Sequence, residues 1–172
     1  QVVDKDGNAV EEWIYTDKPH ETVAKLVVDE SYVLREVRPA DGWAYAEDVP
    51  FKVSHDGTVD YVKMEDKPTH VVISKQEITG SKELPGCTLQ VIDKNGNVVD
   101  EWFSTDQPHE IKEKLIADEE YTLREVRPAD GWAYAEDIPF KVSHDGTVDQ
   151  VKMEDKPTHV VVSKKKITGK EE

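Results

Sequence analysis

Apolar and polar residues alternate with a period of two through most of this chain, in runs too short to build a helix face. Between residues 71 and 158 the pattern predicts strands at Val71–Lys75, Cys87–Ile92, Val98–Phe103, Tyr121–Val126 and Val148–Met153. Shorter stretches at Trp132–Ala135 and Pro139–Val142 flank a charged bend. The strands are punctuated by turn chemistry: Asn95-Gly96 within Asp93–Asn97, then Pro128-Ala129-Asp130-Gly131, then His144-Asp145-Gly146-Thr147. Residues 107–119 (PHEIKEKLIADEE) fit a short helical turn, a charged loop or an edge strand equally well. Several short strands joined this way predict an all-β fold, a small antiparallel β-sandwich of Greek-key, Ig-like kind.

The pattern occurs more than once. Residues 1–83 align with residues 90–172, and 62 of the 83 positions are identical. Both copies read VRPADGWAYAED, PFKVSHDGTVD and VKMEDKPTH, whereas residues 21–30 and 110–119 diverge most and read as a surface excursion. Units of this length can each hold a core, unlike the short units of a solenoid. The expected organisation is a module at 1–70 without its first strand, a complete module at 71–158, and the first strand of a further module at 159–172. No Gly/Ser linker separates them, so the joint at Lys67-Pro68-Thr69-His70 is expected to be short and stiff.

Composition narrows the function classes. With 22 basic and 37 acidic residues the net charge is −15, which disfavours nucleic acid and anionic membranes as partners. One cysteine excludes an intrachain disulfide and the cysteine-rich zinc modules. No apolar run approaches the roughly 20 residues needed to span a bilayer, so no membrane insertion is expected in this fragment. The six histidines fall at repeat spacing in turns and joints without clustering, so no metal site and no cofactor are expected.

Three charges stand on the wrong face. Alternation places Val71, Ile73 and Lys75 on one side of a strand, Tyr121, Leu123 and Glu125 on one side of another, and Val151, Met153 and Asp155 on one side of the last. Each core-facing row therefore ends in a charge, which is costly to bury unless paired. The pattern leaves two readings open: strand ends reaching solvent, or a buried triad.

At these residues the chain resembles the Cna B-type, pilin-like (prealbumin-like) domains of Gram-positive surface proteins. The segments VVISKQEITGSKELPGCTL, YTLREVRPADGWA, FKVSHDGTV and VKMEDKP carry the resemblance and span essentially the whole repeat. It implies an intramolecular isopeptide bond between Lys75 and Asp155, assisted by Glu125. In the first module it points to Glu36 and Asp66, with Lys164 as the candidate donor. Amide formation needs a neutral amine and an electrophilic carboxyl, and two close carboxyls that share a proton favour the second. This is single-turnover self-crosslinking; no catalytic turnover is expected, so the protein is not read as an enzyme. Cys87, where the family usually has Ala, is expected to be a small buried residue, and Trp43 and Trp132, where it has Tyr, to keep a packing role.

Two function classes follow. The first is a structural stalk or spacer of an adhesin or pilin-like protein, secreted and wall-anchored, with signal and anchor outside this fragment. Its partners would be neighbouring repeats, and the first strand of the truncated module would come from a preceding segment of the chain or, as the alternative, from head-to-tail self-association in which residues 160–164 complete it. The second is an adhesin module binding a host matrix protein, glycan or immunoglobulin, with Trp13 or Trp102 and loop 104–119 as the contact.

Overall fold

The structure, a computed structural model, describes residues 1–165. It contains eleven strands: β1 (Val2–Val3), β2 (Ala9–Glu11), β3 (Ser31–Leu34), β4 (Val49–Lys52), β5 (His70–Glu77), β6 (Thr88–Asp93), β7 (Val98–Phe103), β8 (His109–Lys112), β9 (Glu120–Arg127), β10 (Ile138–Lys141) and β11 (Asp149–Asp155). No helix occurs among the described residues. The ambiguous stretch resolves as the edge strand β8 followed by an irregular loop, in which Glu113 and Asp118 both take positive φ. Residues 166–172, the remainder of the expected further strand segment, lie outside the described residues.

The second repeat is a two-layer sandwich. One sheet has the order β10-β9-β6-β7 and the other β11-β5-β8. Pairing is antiparallel except between β5 and β11, the first and last strands of the repeat, which run parallel in the register Val71↔Asp149 to Glu77↔Asp155. The inward rows predicted from alternation fill the space between the layers. Val71, Ile73, Leu89, Val91, Leu123, Val151 and Met153 form one buried cluster, closed by Leu115 and Val142. Turns are set by side-chain acceptors: Asp93 Oδ1 accepts the N–H groups of Asn95 and Asn97, both at 2.8 Å, while Gly96 supplies the positive φ.

The first repeat reproduces only one of the two sheets. Its order β2-β1-β3-β4 matches β7-β6-β9-β10 strand for strand, and Val2↔Leu34 repeats Val91↔Leu123. Residues 20–23 and 60–66, which repeat β8 and β11, form no strand. In the second repeat both of those strands hydrogen-bond to β5, and no counterpart of β5 lies beside residues 20–23 and 60–66 among the described residues. The consequence shows in burial: Met153 and Asp155 are enclosed, but Met64 is half-buried and Asp66 exposed.

A built joint connects the repeats. Thr69 Oγ1 bonds to the carbonyls of Gly42 and Leu115, at 3.0 and 2.7 Å, and so ties a turn of the first repeat to a loop of the second. The Tyr45 N–H donates to the His144 carbonyl at 2.9 Å, and the two rings stack with centroids 4.1 Å apart. Gly42, at φ +86°, lies so close to the Glu113 backbone that a Cβ there would overlap the Glu113 carbonyl.

Trp13 and Trp102 do not form the exposed patch that a ligand-binding reading needs. Each is half-buried and stacked on a histidine of its own repeat, His20 and His109, with centroids 4.1 Å apart in both cases. Trp132 packs against the core and bridges Pro157, while Trp43 bridges Pro68.

Candidate functional site

Lys75, Glu125 and Asp155 meet between the two sheets of the second repeat. Period-two geometry turns Lys75 inward after Val71 and Ile73 on β5, and Asp155 inward after Val151 and Met153 on β11. Because Lys75 is registered with Met153 and Asp155 with Glu77, the amine and carboxyl are diagonal neighbours on one face. Glu125 arrives from the opposite layer, on β9, where it pairs with Leu89 of β6. The three residues are 2%, 6% and 1% exposed, so the solvated strand-end alternative is excluded by burial.

The contacts are close. Lys75 Nζ donates to Asp155 Oδ1 and lies 2.9 Å from Glu125 Oε1. The second contact is poorly aligned for a hydrogen bond, and Glu125 Oε1 has no other partner among the described residues. Glu125 Oε2 accepts the Ala135 N–H at 2.9 Å, which orients the carboxyl. The backbone around the lysine is fixed as well: its N–H donates to Glu83 Oε2 at 2.9 Å and its carbonyl accepts from the Leu84 N–H at 2.6 Å. Ile78 donates to the Asp155 carbonyl at 3.0 Å, joining the ends of β5 and β11.

One cation faces two carboxyls in an enclosure that water does not reach. Burial pushes the Asp155 carboxyl above the usual carboxylate range; Lys75 opposes that shift, and the Glu125 charge reinforces it. Burial therefore biases the Asp155 carboxyl towards its protonated form. That arrangement supplies what amide formation needs: an amine in contact with a carboxyl that is not a free carboxylate, and a second acid to carry protons.

Cys87 adds a fourth group that the sequence reading took only as a small buried residue. It is fully enclosed, and its Sγ lies 3.8 Å from Asp155 Oδ2. Ser104 holds it in place by accepting the Cys87 N–H at 2.8 Å and donating to the Leu84 carbonyl at 2.7 Å. The signal was available, since Cys87 shares the inward face of its strand with Leu89, which pairs with Glu125. The sulfur and the Glu125 and Asp155 oxygens lie within 4.8 Å of one another, a spacing that also suits a metal ion. Here the Lys75 ammonium already occupies the cation position between the two carboxyls.

The equivalent residues of the first repeat are only partly assembled. Glu36 accepts the Ala46 N–H at 3.0 Å, as Glu125 accepts Ala135, and burial raises its carboxyl, with Asp66 contributing. Asp66 is exposed. Lys164 lies in an exposed segment without regular structure and forms no ion pair with Glu36 or Asp66 among the described residues.

The family profile for the SpaA prealbumin-like fold domain matches residues 69–157, which are 89 of the 172 positions. The chain belongs to this family. The match begins at the joint residue Thr69 and ends just past Asp155, so it includes all three members of the buried cluster. No curated protein sequence matches the chain. Among solved structures it is similar to the Bacillus anthracis TIE protein, at 16% identity and a TM-score of 0.49, over 74% of this chain and 25% of that one. It is also similar to the shaft pilin SpaA of Lactobacillus rhamnosus GG, at 14% identity and a TM-score of 0.47, over 77% of this chain and 66% of that one. A third is the C-terminal fragment of the pilus adhesin SpaC from the same organism, at 15% identity and a TM-score of 0.48, over 80% of each chain. The chain thus spans a quarter of the length of the first and just under two thirds of the second.

Proposed function

We propose that this SpaA-family chain is a spacer of a Gram-positive surface stalk or pilus-like array, in which each complete module locks itself with a Lys–Asp isopeptide bond. The modules are residues 1–70 and 71–158, with 159–172 opening a third. The observation that carries this reading is the enclosed contact of Lys75 with both Asp155 and Glu125. A salt bridge alone is a poor reason to bury three ionisable groups, because desolvation offsets the Coulombic gain.

The step balances without a cofactor. The ammonium passes a proton to the carboxyl pair, and the neutral Nζ of Lys75 attacks Cγ of Asp155. An Nζ–Cγ bond forms, a Cγ–O bond breaks, and the oxygen leaves as water after taking up the protons released by nitrogen. Glu125 relays those protons through Oε1, while the Ala135 N–H holds Oε2. Holding amine and carboxyl in contact replaces a bimolecular encounter, with an effective concentration on the order of 10⁵–10⁸ M for well-oriented groups. The dry enclosure also removes the solvent that would favour hydrolysis.

Trp13 and Trp102 are half-buried and each stacks on a histidine of its own repeat, which leaves less of either ring for a host ligand and favours the spacer over the adhesin reading. Intact mass under denaturing conditions tests the bond. The expected result is a deficit of one water that Lys75→Ala abolishes; full mass in the parent chain would overturn it.

A further inference from the structure

The two carboxyl oxygens of Asp155 stand in different surroundings. Oδ1 accepts from Lys75 Nζ, whereas Oδ2 lies 3.8 Å from Cys87 Sγ. Sulfur is large and a thiol is a weak donor, so that separation is within its hydrogen-bonding reach. Among the described residues the thiol is the one hydrogen-bond donor placed against Oδ2. Glu125 does not compete for the place. Its Oε2 accepts the Ala135 N–H, while its Oε1, 2.9 Å from Nζ, is buried without a hydrogen-bond partner. Oδ1 therefore faces the groups that release and carry protons, and Oδ2 faces a separate donor.

That donor is held by the same frame that holds the amine. Cys87 precedes β6, where Gly86 turns the chain at φ +99°. The Cys87 N–H donates to Ser104 Oγ, and the Ser104 N–H donates to the Cys87 carbonyl, both at 2.8 Å. Ser104 Oγ in turn donates to the Leu84 carbonyl at 2.7 Å, and the Leu84 N–H donates to the Lys75 carbonyl at 2.6 Å. A continuous run of hydrogen bonds thus ties the Cys87 backbone to that of Lys75. Cys87 and Asp155 are 0% and 1% exposed, so water does not reach the sulfur or its acceptor. Burial pushes the Cys87 thiol up, which keeps its proton in place and makes it a donor, not a nucleophile.

We propose that Cys87 is a catalytic residue of the condensation, its S–H donating to Asp155 Oδ2 while negative charge gathers on that oxygen. This role rests on the Lys75–Asp155 bond proposed above. Neutral Nζ attacks Cγ, the Nζ–Cγ bond forms, and the π pair of Cγ–Oδ2 moves onto Oδ2. The two protons that nitrogen gives up, one before attack and one after, reach Oδ1 directly or through Glu125 Oε1. The pair then returns from Oδ2, the Cγ–Oδ1 bond breaks, and Oδ1 leaves as water. Oδ2 remains as the amide oxygen, and the thiol proton stays on sulfur throughout. Donors aimed at a developing oxyanion in a dry site act on the transition state more than on the ground state.

The assignment makes two predictions, one for the rate and one for the finished bond. The chain is made in a short cell-free translation pulse and quenched into denaturant at intervals, and its intact mass is read. Cys87→Ala should lose the same one water as the parent, but about tenfold more slowly. That is less than the 10²–10³ of a full-strength oxyanion donor, because the thiol is a weak one. Slowing alone would also follow from looser packing, so the second readout is the infrared S–H stretch. The chain has one cysteine, and the band is therefore single. It should lie at lower frequency in the bonded parent than in Asp155→Ala, where the acceptor is gone. The band is read on the finished product and does not depend on catching the reaction. Equal water loss by Cys87→Ala and parent at every resolved time overturns the role of the thiol and leaves the bond standing. An S–H band at the same frequency in parent and Asp155→Ala does so as well, since Oδ2 is then not the oxygen retained beside sulfur. A parent chain of full mass at all times overturns the bond itself, and this role with it.

Discussion

Replacing Glu125 by Gln separates the proposed bond from the packing around it. Gln has the same shape, and its carbonyl oxygen can still accept the Ala135 N–H that Glu125 Oε2 accepts at 2.9 Å. It cannot take up or return a proton, so the condensation should stop while the fold survives. The cost follows from the chain between the two ends of the bond. Lys75 and Asp155 are 80 residues apart, and closing a loop of that length in the unfolded state is worth about 4.5 kcal/mol by the chain-entropy relation used for disulfides. A kcal/mol moves the midpoint of a domain this size by about 4–8 °C, so the second repeat should melt roughly 20–35 °C lower in the variant. Intact mass reports the bond, and calorimetry reports the transition. Parent and variant should differ by the water deficit and by this shift together. A variant that keeps the deficit refutes the role of Glu125, and loss of the deficit without a large shift refutes the loop-closure magnitude.

Three further outcomes follow from the same geometry. Gly42→Ala should open the joint, because its Cβ overlaps the Glu113 carbonyl, whereas Gly131→Ala, at nearly the same φ with nothing nearby, carries only the backbone strain of about 1–2 kcal/mol; faster hydrogen exchange of the Tyr45 amide, which donates to the His144 carbonyl across the joint, in the first variant alone checks this. In a Lys75→Met chain the buried Asp155 carboxyl, raised above its usual value of 3.8, stabilises the fold only while protonated. That contribution is complete below the unfolded value and disappears as pH rises through the folded one, so urea midpoints of Lys75→Met and Lys75→Met/Asp155→Asn should converge on acidification and diverge towards neutrality; a constant gap would contradict the assignment. Burial pushes the Cys87 thiol up, so it should not react with an aromatic disulfide reagent at neutral pH until the repeat unfolds, and prompt native-state labelling would contradict its enclosure.

Periodicity carried most of this structure because a strand leaves so little choice. Once Val71 and Ile73 face inward, Lys75 must as well, and the same reasoning applies to Glu125 after Leu123 and to Asp155 after Met153. Which rows would meet was not legible from alternation, since it depends on the parallel pairing of β5 with β11 across 80 residues of sequence. Loop geometry was also hidden. Residues 107–119 carry charges at a spacing compatible with helix, and the outcome was decided by Ile111 and Leu115 reaching the core from an edge strand and an irregular turn. The half-formed first repeat has a similar origin. Its residues match those of β8 and β11 in hydrophobic pattern, but a strand pattern yields a strand only where a neighbour supplies hydrogen bonds.

The parallel pairing also determines what the proposed bond would do under load. Tension along an array enters the second repeat at Thr69 and leaves beyond Asp155, so it pulls β5 and β11 in opposite directions along their length. Without the bond this shear falls on the hydrogen bonds between them, from Val71↔Asp149 to Glu77↔Asp155, and the core row of Ile73 and Met153 is dragged with it. With the bond the path is short: along β5 to the Lys75 side chain, across the amide to Asp155, and out through Lys156. Every residue between those two positions then lies outside the loaded path, including β6 to β10, the Cys87 contact and the loop on which the joint is built. The bond would stabilise the module against unfolding and also keep its joint surface intact while the array is stretched, which no strengthening of the sheet alone would do.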